Sequence, residues 1–161
     1  MPNTFVVENK IKKFNKTISV NGDKSISIRW ILFSSLASGV STATNLLVSD
    51  DVLATINSIR KLGIKIVLKK KYCKVFGKGI DGYNYKENLT INAKNSGTLA
   101  RLLLGLFANT KKKIKLIGDK SLSQRDFKRV IDPLKKFGVI FDSNKKNTLP
   151  LKIIGSKILR P

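Results

Sequence analysis

The chain has 161 residues, of which 42% are hydrophobic, with one cysteine, no histidine and a formal net charge of +22. This length allows one globular core, while the residue counts exclude an internal disulfide, a Cys/His metal site and a histidine base. The longest apolar stretches are much shorter than the roughly 18 residues that a membrane span requires, so we expect a cytoplasmic protein without membrane contacts.

The first predicted helix follows the octapeptide GDKSISIR at positions 22–29. Residues 25–38 have helical length, are apolar almost all round, and are followed by Gly39 as a stop signal. Helices without a polar face are buried on nearly every side. The pattern therefore predicts a helix in the interior of the protein.

A strand, an amphipathic helix and a second strand are predicted next. Residues 46–48 and 64–68 are strand candidates, and the second of these alternates aliphatic residues with lysine. Residues 50–62 begin with two aspartates, which suit the positive end of a helix dipole, and stop before Gly63. The alternation indicates a sheet with one face in solvent.

The second half of the chain repeats this order of elements. After a strand candidate at 89–92, it has an apolar helix at 98–108, a strand at 114–117, a helix at 126–137 and a strand at 139–141. Corresponding points lie about 70 to 75 residues apart. The sequence therefore predicts an α/β protein of two repeated units, with helices inside and sheets outside.

Three predicted helices begin at junctions that combine glycine, a hydroxyl residue and cations. GDKSISIR at 22–29 has a near copy, GDKSLSQR, at 118–125, and NSGT at 95–98 is followed by Arg101. Each junction taken alone is also typical of a capped turn, in which the serine can cap the helix. Asp23 and Asp119 lie in such turns and are better placed to cap than to abstract protons. Three such junctions, each with an arginine, favour a site for a phosphate or a carboxylate.

The positive charge leaves a nucleic-acid-binding module open as an alternative. However, 26 of the 32 cations are lysines dispersed along the chain, and the runs at 69–71 and 111–113 lack interleaved aromatic residues. This dispersal favours a solvated surface that attracts small polyanionic substrates. We therefore expect no nucleic-acid partner.

Four ordered motifs carry a resemblance to a known family. GDKSISIR, LLVSDDVLATINSIRKLGIKI, NSGTLARLLLGLFA and GDKSLSQRDFKRVIDPLKKFG resemble the N-terminal part of the 5-enolpyruvylshikimate-3-phosphate synthases. The resemblance implies the enolpyruvyl transferase fold, an inside-out α/β fold, truncated within its first domain. It implies that residues 1–16 belong to a missing second domain, and that residues 17–161 form an incomplete first domain of two repeat units.

The resemblance also implies a reaction. In the shikimate pathway to aromatic amino acids, the enolpyruvyl group of phosphoenolpyruvate is transferred to the 5-hydroxyl of shikimate 3-phosphate, and phosphate is released. No cofactor or metal is implied, and we expect a monomer at full length. The acidic proton-transfer residues of the family are not reached before the chain stops, so this chain is expected to be inactive alone.

The first junction resembles the part of the family that holds shikimate 3-phosphate. By this resemblance, Lys24 contacts both substrates and acts in catalysis by protonating or polarising the enolpyruvyl group. Ser25 and Arg29 hold shikimate 3-phosphate. The sequence departs from the family at Asn21, where proline is usual, and at Ile28, where histidine is usual.

The other two junctions resemble the part of the family that holds phosphoenolpyruvate. By this resemblance, Gly97 lets phosphoenolpyruvate approach the backbone beside Asn95, while Thr98 and Arg101 support that loop. Arg125 binds the phosphate of phosphoenolpyruvate. The resemblance thus implies that the junctions for the two substrates face each other across one cleft.

The UDP-N-acetylglucosamine enolpyruvyl transferases are an alternative within the same fold. Their first motif has asparagine after the lysine, where this chain has Ser25. Their reactive cysteine lies on a loop after the second buried helix, whereas Cys73 lies in the strand-like segment KYCKVFG. We expect Cys73 to be a small apolar core residue.

Overall fold

The computed structural model describes residues 4, 6, 8–10, 13–110, 112–143 and 147–156. Parts of the stretch 1–16, and residue 111 of the basic run 111–113, therefore lie outside the described residues. The first elements are α1 (Lys24–Leu36), β1 (Ser38–Ala43), α2 (Asp50–Lys61), β2 (Lys65–Lys69) and β3 (Tyr72–Lys78). Those that follow are β4 (Leu89–Asn92), α3 (Gly97–Leu106), a 3-10 turn (Phe107–Asn109), β5 (Ile114–Ile117), α4 (Lys120–Ser123), α5 (Lys128–Lys136), β6 (Ile140–Ser143) and β7 (Leu151–Ile154).

The strands form two sheets with the same internal order. The first sheet is β1-β3-β2, and the second contains β5-β7-β6, all with antiparallel neighbours. The second sheet has one additional strand, β4, which pairs in parallel with β5. Because parallel neighbours end at the same sheet edge, the loops that follow β4 and β5 lie side by side.

The buried faces of α1 and α3 line the interior and the strand lysines face solvent, which confirms the predicted inside-out arrangement. The aliphatic side chains at the centres of α1 and α3 are at most 3% exposed: Ile31, Leu32, Leu103 and Leu104. The lysines of the strands and their flanks are exposed: Lys65, Lys69, Lys113 and Lys115. In β5 the two orientations alternate, since Ile114 and Leu116 are buried on either side of Lys115.

The prediction that the two apolar helices are buried on nearly every side is wrong. On α1, Ile26 and Phe33 are 65% and 68% exposed, and the partly buried Trp30 lies between them on the same stripe. On α3, a Cβ at Gly105 would have no described heavy atom within 4 Å apart from its chain neighbours and the backbone of its own helix. Each helix therefore packs on one side and leaves the other open within the described part of the chain.

Two predicted elements differ from those observed. Residues 46–48 form an extended loop, because Leu46 N–H donates to the Lys71 carbonyl and Leu47 N–H to Ser27 Oγ instead of forming a ladder. The strand that precedes this loop is β1, and it begins at Ser38, the last residue of the predicted helix 25–38. The predicted helix 126–137 begins later, at Lys128, and is preceded by the short α4.

A matched pair of glycine substitutions tests the packing of the 45–47 loop on Gly22. A Cβ at Gly22 would lie 2.2 Å from the Asn45 carbonyl oxygen, so Gly22→Ala should destabilise the fold by about 1 to 3 kcal/mol. Gly105→Ala fills open space inside a helix and should stabilise the chain by about 0.5 to 1 kcal/mol. Urea unfolding followed by circular dichroism measures both changes. Equal stability of the two variants would contradict the packing of the 45–47 loop on Gly22.

Candidate functional site

The first octapeptide forms a capped entry to α1. Asp23 Oδ1 accepts from the backbone N–H of Ile26 at 2.7 Å, which confirms the capping role predicted for Asp23 and shows that the serine is not the cap here. Ser27 Oγ donates to the Asp23 carbonyl at 2.7 Å and accepts from Leu47 N–H at 3.1 Å. Ser25 lies within the first turn of the helix, where its side chain is half-buried.

Lys24 carries the positive charge of this junction. Its ammonium lies 3.1 Å from Asp51 Oδ2 in the first turn of α2, and the two side chains are 52% and 17% exposed. A pair this exposed contributes little to stability, because water screens it. Its main effect is to hold the ammonium between the N-termini of α1 and α2. Arg29, one turn further along α1, is exposed.

The second and third junctions are joined by the parallel pairing of β4 and β5. Beyond the paired strands, Ala93 N–H donates to the Ile117 carbonyl at 2.9 Å and Asp119 N–H to the Lys94 carbonyl at 2.8 Å. Ser96 Oγ accepts from Leu99 N–H at 3.2 Å, which confirms the serine cap predicted for NSGT. The loops before α3 and α4 are therefore fixed against each other.

Two guanidinium groups converge on the N-terminus of α3. A Cβ at Gly97 would lie 2.8 Å from Arg101 Nη1 and 3.0 Å from Arg125 Nη1. Arg101 Nη1 donates to the Gly97 carbonyl at 3.4 Å, and its guanidinium lies 5.3 Å from the centre of the Phe127 ring. Arg125 Nη2 donates to Asn95 Oδ1 at 3.1 Å. We call Asn95, Gly97, Arg101 and Arg125 the Gly97 cluster.

The Gly97 cluster has the electrostatics of an anion site. Within the described part of the chain, neither of its guanidinium groups forms an ion pair with a carboxylate. Two like charges beside the positive end of a helix repel one another, and a bound anion relieves that repulsion. Because a side chain at Gly97 would contact both arginines, the glycine lets the two guanidinium groups lie together against the helix N-terminus.

Asp119 links the second octapeptide to this cluster. Its Oδ1 accepts from Leu122 N–H at 2.7 Å and caps α4, while its Oδ2 accepts from Asn95 Nδ2 at 2.7 Å. The hydrogen bond from Leu122 N–H and then that from Asn95 lower the pKa of Asp119, and desolvation offsets part of this effect. The charge of Arg125 and a backbone hydrogen bond from Ser121 lower it further. The carboxylate is thus held ionised next to the cluster.

The structure brings four of the eight predicted site residues together in the Gly97 cluster. Thr98 lies beside them in the first turn of α3 and is half-buried. Lys24, Ser25 and Arg29 lie on α1, and no hydrogen bond or ion pair between described side chains joins them to the cluster. A common cleft for both groups therefore stays a prediction.

Sequence reasoning missed two partners of the site. Asp51 was assigned only to the helix dipole and Asp119 only to a cap. Their contacts with Lys24 and Asn95 depend on how α1 meets α2 and how β4 pairs with β5, and neither arrangement has a local sequence signal. The repeated Asp of the two octapeptides was the available signal for Asp119.

Other site chemistries find no support in the described residues. No group of three or more Cys, Asp or Glu side chains there is arranged to hold a metal ion. None of the described helices combines the length and apolar character of a membrane span. Cys73 is fully buried in β3, and burial raises the pKa of its thiol while Arg60 partly offsets this. This burial agrees with a core role.

Comparison with known proteins places these junctions in a family context. Residues 8–160 match the family model of EPSP synthase (3-phosphoshikimate 1-carboxyvinyltransferase). The 3-phosphoshikimate 1-carboxyvinyltransferase of Sulfurihydrogenibium sp. (strain YO3AOP1) is 44% identical over 150 residues, which cover 92% of this chain and 35% of that protein. That of Thermoanaerobacter sp. (strain X514) is 40% identical over 153 residues, which cover 94% and 36%. A solved EPSP synthase from Acinetobacter baumannii superposes with a TM-score of 0.80 at 34% identity, covering 86% of this chain and 32% of that one. The chain thus spans about a third of the length of the relatives it matches.

Acidification should break the bond between Asp119 and Asn95. Because the pKa of Asp119 lies below its ordinary value of 3.8, its carboxylate supports the folded arrangement fully above pH 3.8. That support is lost as the pH falls through the lower folded pKa. The side-chain amide resonances of Asn95 in ¹H-¹⁵N spectra should move in that range, while those of Asn109 stay constant. A midpoint above 3.8 would contradict the hydrogen bonding described for Asp119.

Proposed function

The chain belongs to the EPSP synthase family, and we propose that it forms one side of an active site for enolpyruvyl transfer. The reaction moves the enolpyruvyl group of phosphoenolpyruvate to the 5-hydroxyl of shikimate 3-phosphate and releases phosphate, a step of aromatic amino acid biosynthesis. The family match and the relatives' names support this reaction. Because the chain spans about a third of those relatives, the complete activity is proposed for a longer form.

The single observation that carries the proposal is the convergence of Arg101 and Arg125 beside Gly97. Phosphoenolpyruvate carries a phosphate and a carboxylate, and guanidinium groups bind both in a bidentate manner. In our proposal Arg125 binds the phosphate, and the ligand lies against the Gly97 backbone beside Asn95. Arg101, held by Gly97 and Phe127, and the half-buried Thr98 keep the loop in place.

The first junction holds shikimate 3-phosphate in this proposal. Ser25 and Arg29 bind it, and Lys24 contacts both substrates. Addition of the 5-hydroxyl to phosphoenolpyruvate with protonation of its methylene carbon gives a tetrahedral ketal, and loss of phosphate and a proton restores the enol ether. Lys24 supplies or polarises that first proton, and the surrounding cations stabilise the charged intermediate. No metal or cofactor is needed for these steps.

The open faces of the inner helices support the proposed domain organisation. We assign residues 17–161 to an incomplete first domain and residues 1–16 to a second domain. The exposed stripe of Ile26 and Phe33 on α1 and the open side of Gly105 on α3 are two faces on which further helices can pack. A full-length form is proposed to be a cytoplasmic monomer.

Nucleic acid is not among the proposed partners. The lysine-rich outer face of the first sheet carries two aromatic residues, the exposed Tyr72 at the start of β3 and, further along the same strand, Phe76. Its ring is covered by the ammonium groups of Lys65 and Lys74, 5.0 and 5.8 Å from the ring centre. A ring covered in this way is not free to stack on a base.

Substitution of Arg125 tests the phosphoenolpyruvate site. Arg125→Ala should weaken phosphoenolpyruvate binding roughly 10- to 150-fold, since a hydrogen bond to a charged group contributes about 1.5 to 3 kcal/mol. Gly97→Ala should also weaken it, because its methyl group takes the space beside both guanidinium groups. Arg129→Ala, which removes the same charge from an exposed position on α5, is the matched control. Titration calorimetry gives the affinities, and an equal loss in Arg125→Ala and Arg129→Ala would contradict the assignment.

Substitution of Arg29 tests whether the two substrates bind at different junctions. Arg29→Ala should weaken the binding of shikimate 3-phosphate by a similar factor and leave the binding of phosphoenolpyruvate nearly unchanged. The same titrations with each substrate alone decide this. A loss of phosphoenolpyruvate affinity in Arg29→Ala that matches the loss in Arg125→Ala would show that the substrates are not divided between the two junctions as proposed.

The 161-residue chain alone should release no phosphate from phosphoenolpyruvate in the presence of shikimate 3-phosphate. The reaction needs an acid/base group near the 5-hydroxyl, and the carboxylates at these junctions are already engaged, since Asp23 and Asp119 cap helices and Asp51 pairs with Lys24. A phosphate-release assay on the purified chain measures this. Turnover that Lys24→Ala abolishes would show that the acid/base group lies within the chain.

A further inference from the structure

Asp119 uses its two carboxylate oxygens for two different contacts. One oxygen caps α4 through Leu122 N–H, and the other accepts a hydrogen bond from the side-chain amide of Asn95. The amide oxygen of Asn95 in turn accepts from Arg125 Nη2. A chain of hydrogen bonds therefore runs from Asp119 through Asn95 to Arg125.

This chain has only one arrangement in which every partner is satisfied. An ionised carboxylate only accepts hydrogen bonds and a guanidinium only donates them, whereas an amide has a donor side and an acceptor side. Rotating the Asn95 amide by half a turn would oppose its oxygen to Asp119 and its NH₂ to Arg125. Asp119 therefore determines which side of Asn95 faces Arg125.

We propose that Asp119 is a positioning residue of the anion site, which orients Asn95 and, through Asn95, the guanidinium of Arg125 beside Gly97. Arg125 is a long and exposed side chain, so holding it in one direction before binding lowers the entropy that an anion must overcome. The identity of that anion as phosphoenolpyruvate rests on the proposed function. The orientation of Arg125 does not.

The first octapeptide provides an internal comparison. Asp23 caps α1 at the same 2.7 Å distance with which Asp119 caps α4. Among the described residues, the Asp23 carboxylate accepts no side-chain hydrogen bond. Capping is thus common to both aspartates, and the contact with an asparagine amide belongs to Asp119 alone. Substitutions at the two positions therefore distinguish the effect of losing a helix cap from the effect of losing the orientation of Asn95.

The test uses serine, which caps helices well but is too short to reach Asn95. Asp119→Ser should shift the Asn95 side-chain amide and the Arg125 Nε–H resonances in ¹H-¹⁵N spectra. Asp23→Ser should leave both resonances in place. If the two variants leave the Arg125 resonance equally unchanged while Asn95 Nδ2 loses its partner, Asp119 is only a cap and the proposal is overturned.

A double-mutant cycle on phosphoenolpyruvate affinity shows whether Asp119 acts through Asn95. Asp119→Ser alone should weaken binding roughly tenfold, and it should weaken binding no further in the Asn95→Ala background. Additive losses would overturn the proposal. If the longer form without substitutions binds no phosphoenolpyruvate, the proposed function fails, and the Arg125 resonance in Asp119→Ser still decides for or against the positioning role.

Discussion

The parallel pairing of β4 with β5 is the constraint on which the candidate site depends. The register from Leu89↔Ile114 to Asn92↔Ile117 makes the two strands end together, so the loops before α3 and α4 leave one sheet edge side by side. Two backbone hydrogen bonds then fix these loops, and Gly97 and Arg125 meet although they are distant in sequence. The first sheet has the same strand order without a described parallel partner for β1, so the first octapeptide lies apart from a strand edge of this kind.

The two copies of the octapeptide therefore share one structural role and differ in the electrostatic environment of their cations. Both copies place an aspartate cap at a helix entry. In the first copy the lysine, Lys24, is paired with a carboxylate of α2. In the second copy the arginine, Arg125, donates to the neutral amide of Asn95 and forms no ion pair with a described carboxylate. A cation without a counter-ion beside a helix N-terminus contributes little to stability but much to anion binding.

The sequence predicted those parts of the fold that depend on local periodicity and capping. α2 was predicted to within one residue, and the alternation around Lys115 indicated the face of β5 in solvent. The strand predicted at 46–48 was wrong because Leu46 and Leu47 each form a single hydrogen bond, to Lys71 and to Ser27. This is a tertiary effect without a local sequence signal. The open faces of α1 and α3 were missed because apolarity shows that a surface can be buried, not which neighbour is present to bury it.

The sequence predicted which residues form the site, whereas the contacts between them came from the structure. Asn95, Gly97, Arg101 and Arg125 were selected from motifs, and the structure brings them together, but Asp119 became visible only through the pairing of two strands. A crystal structure of the protein with phosphoenolpyruvate bound tests the central claim most directly. The account predicts phosphate oxygens within about 2.7 to 3.2 Å of the Arg125 guanidinium, with the ligand against the Gly97 backbone. Phosphoenolpyruvate bound elsewhere, with the space beside Gly97 filled only by water, would contradict it.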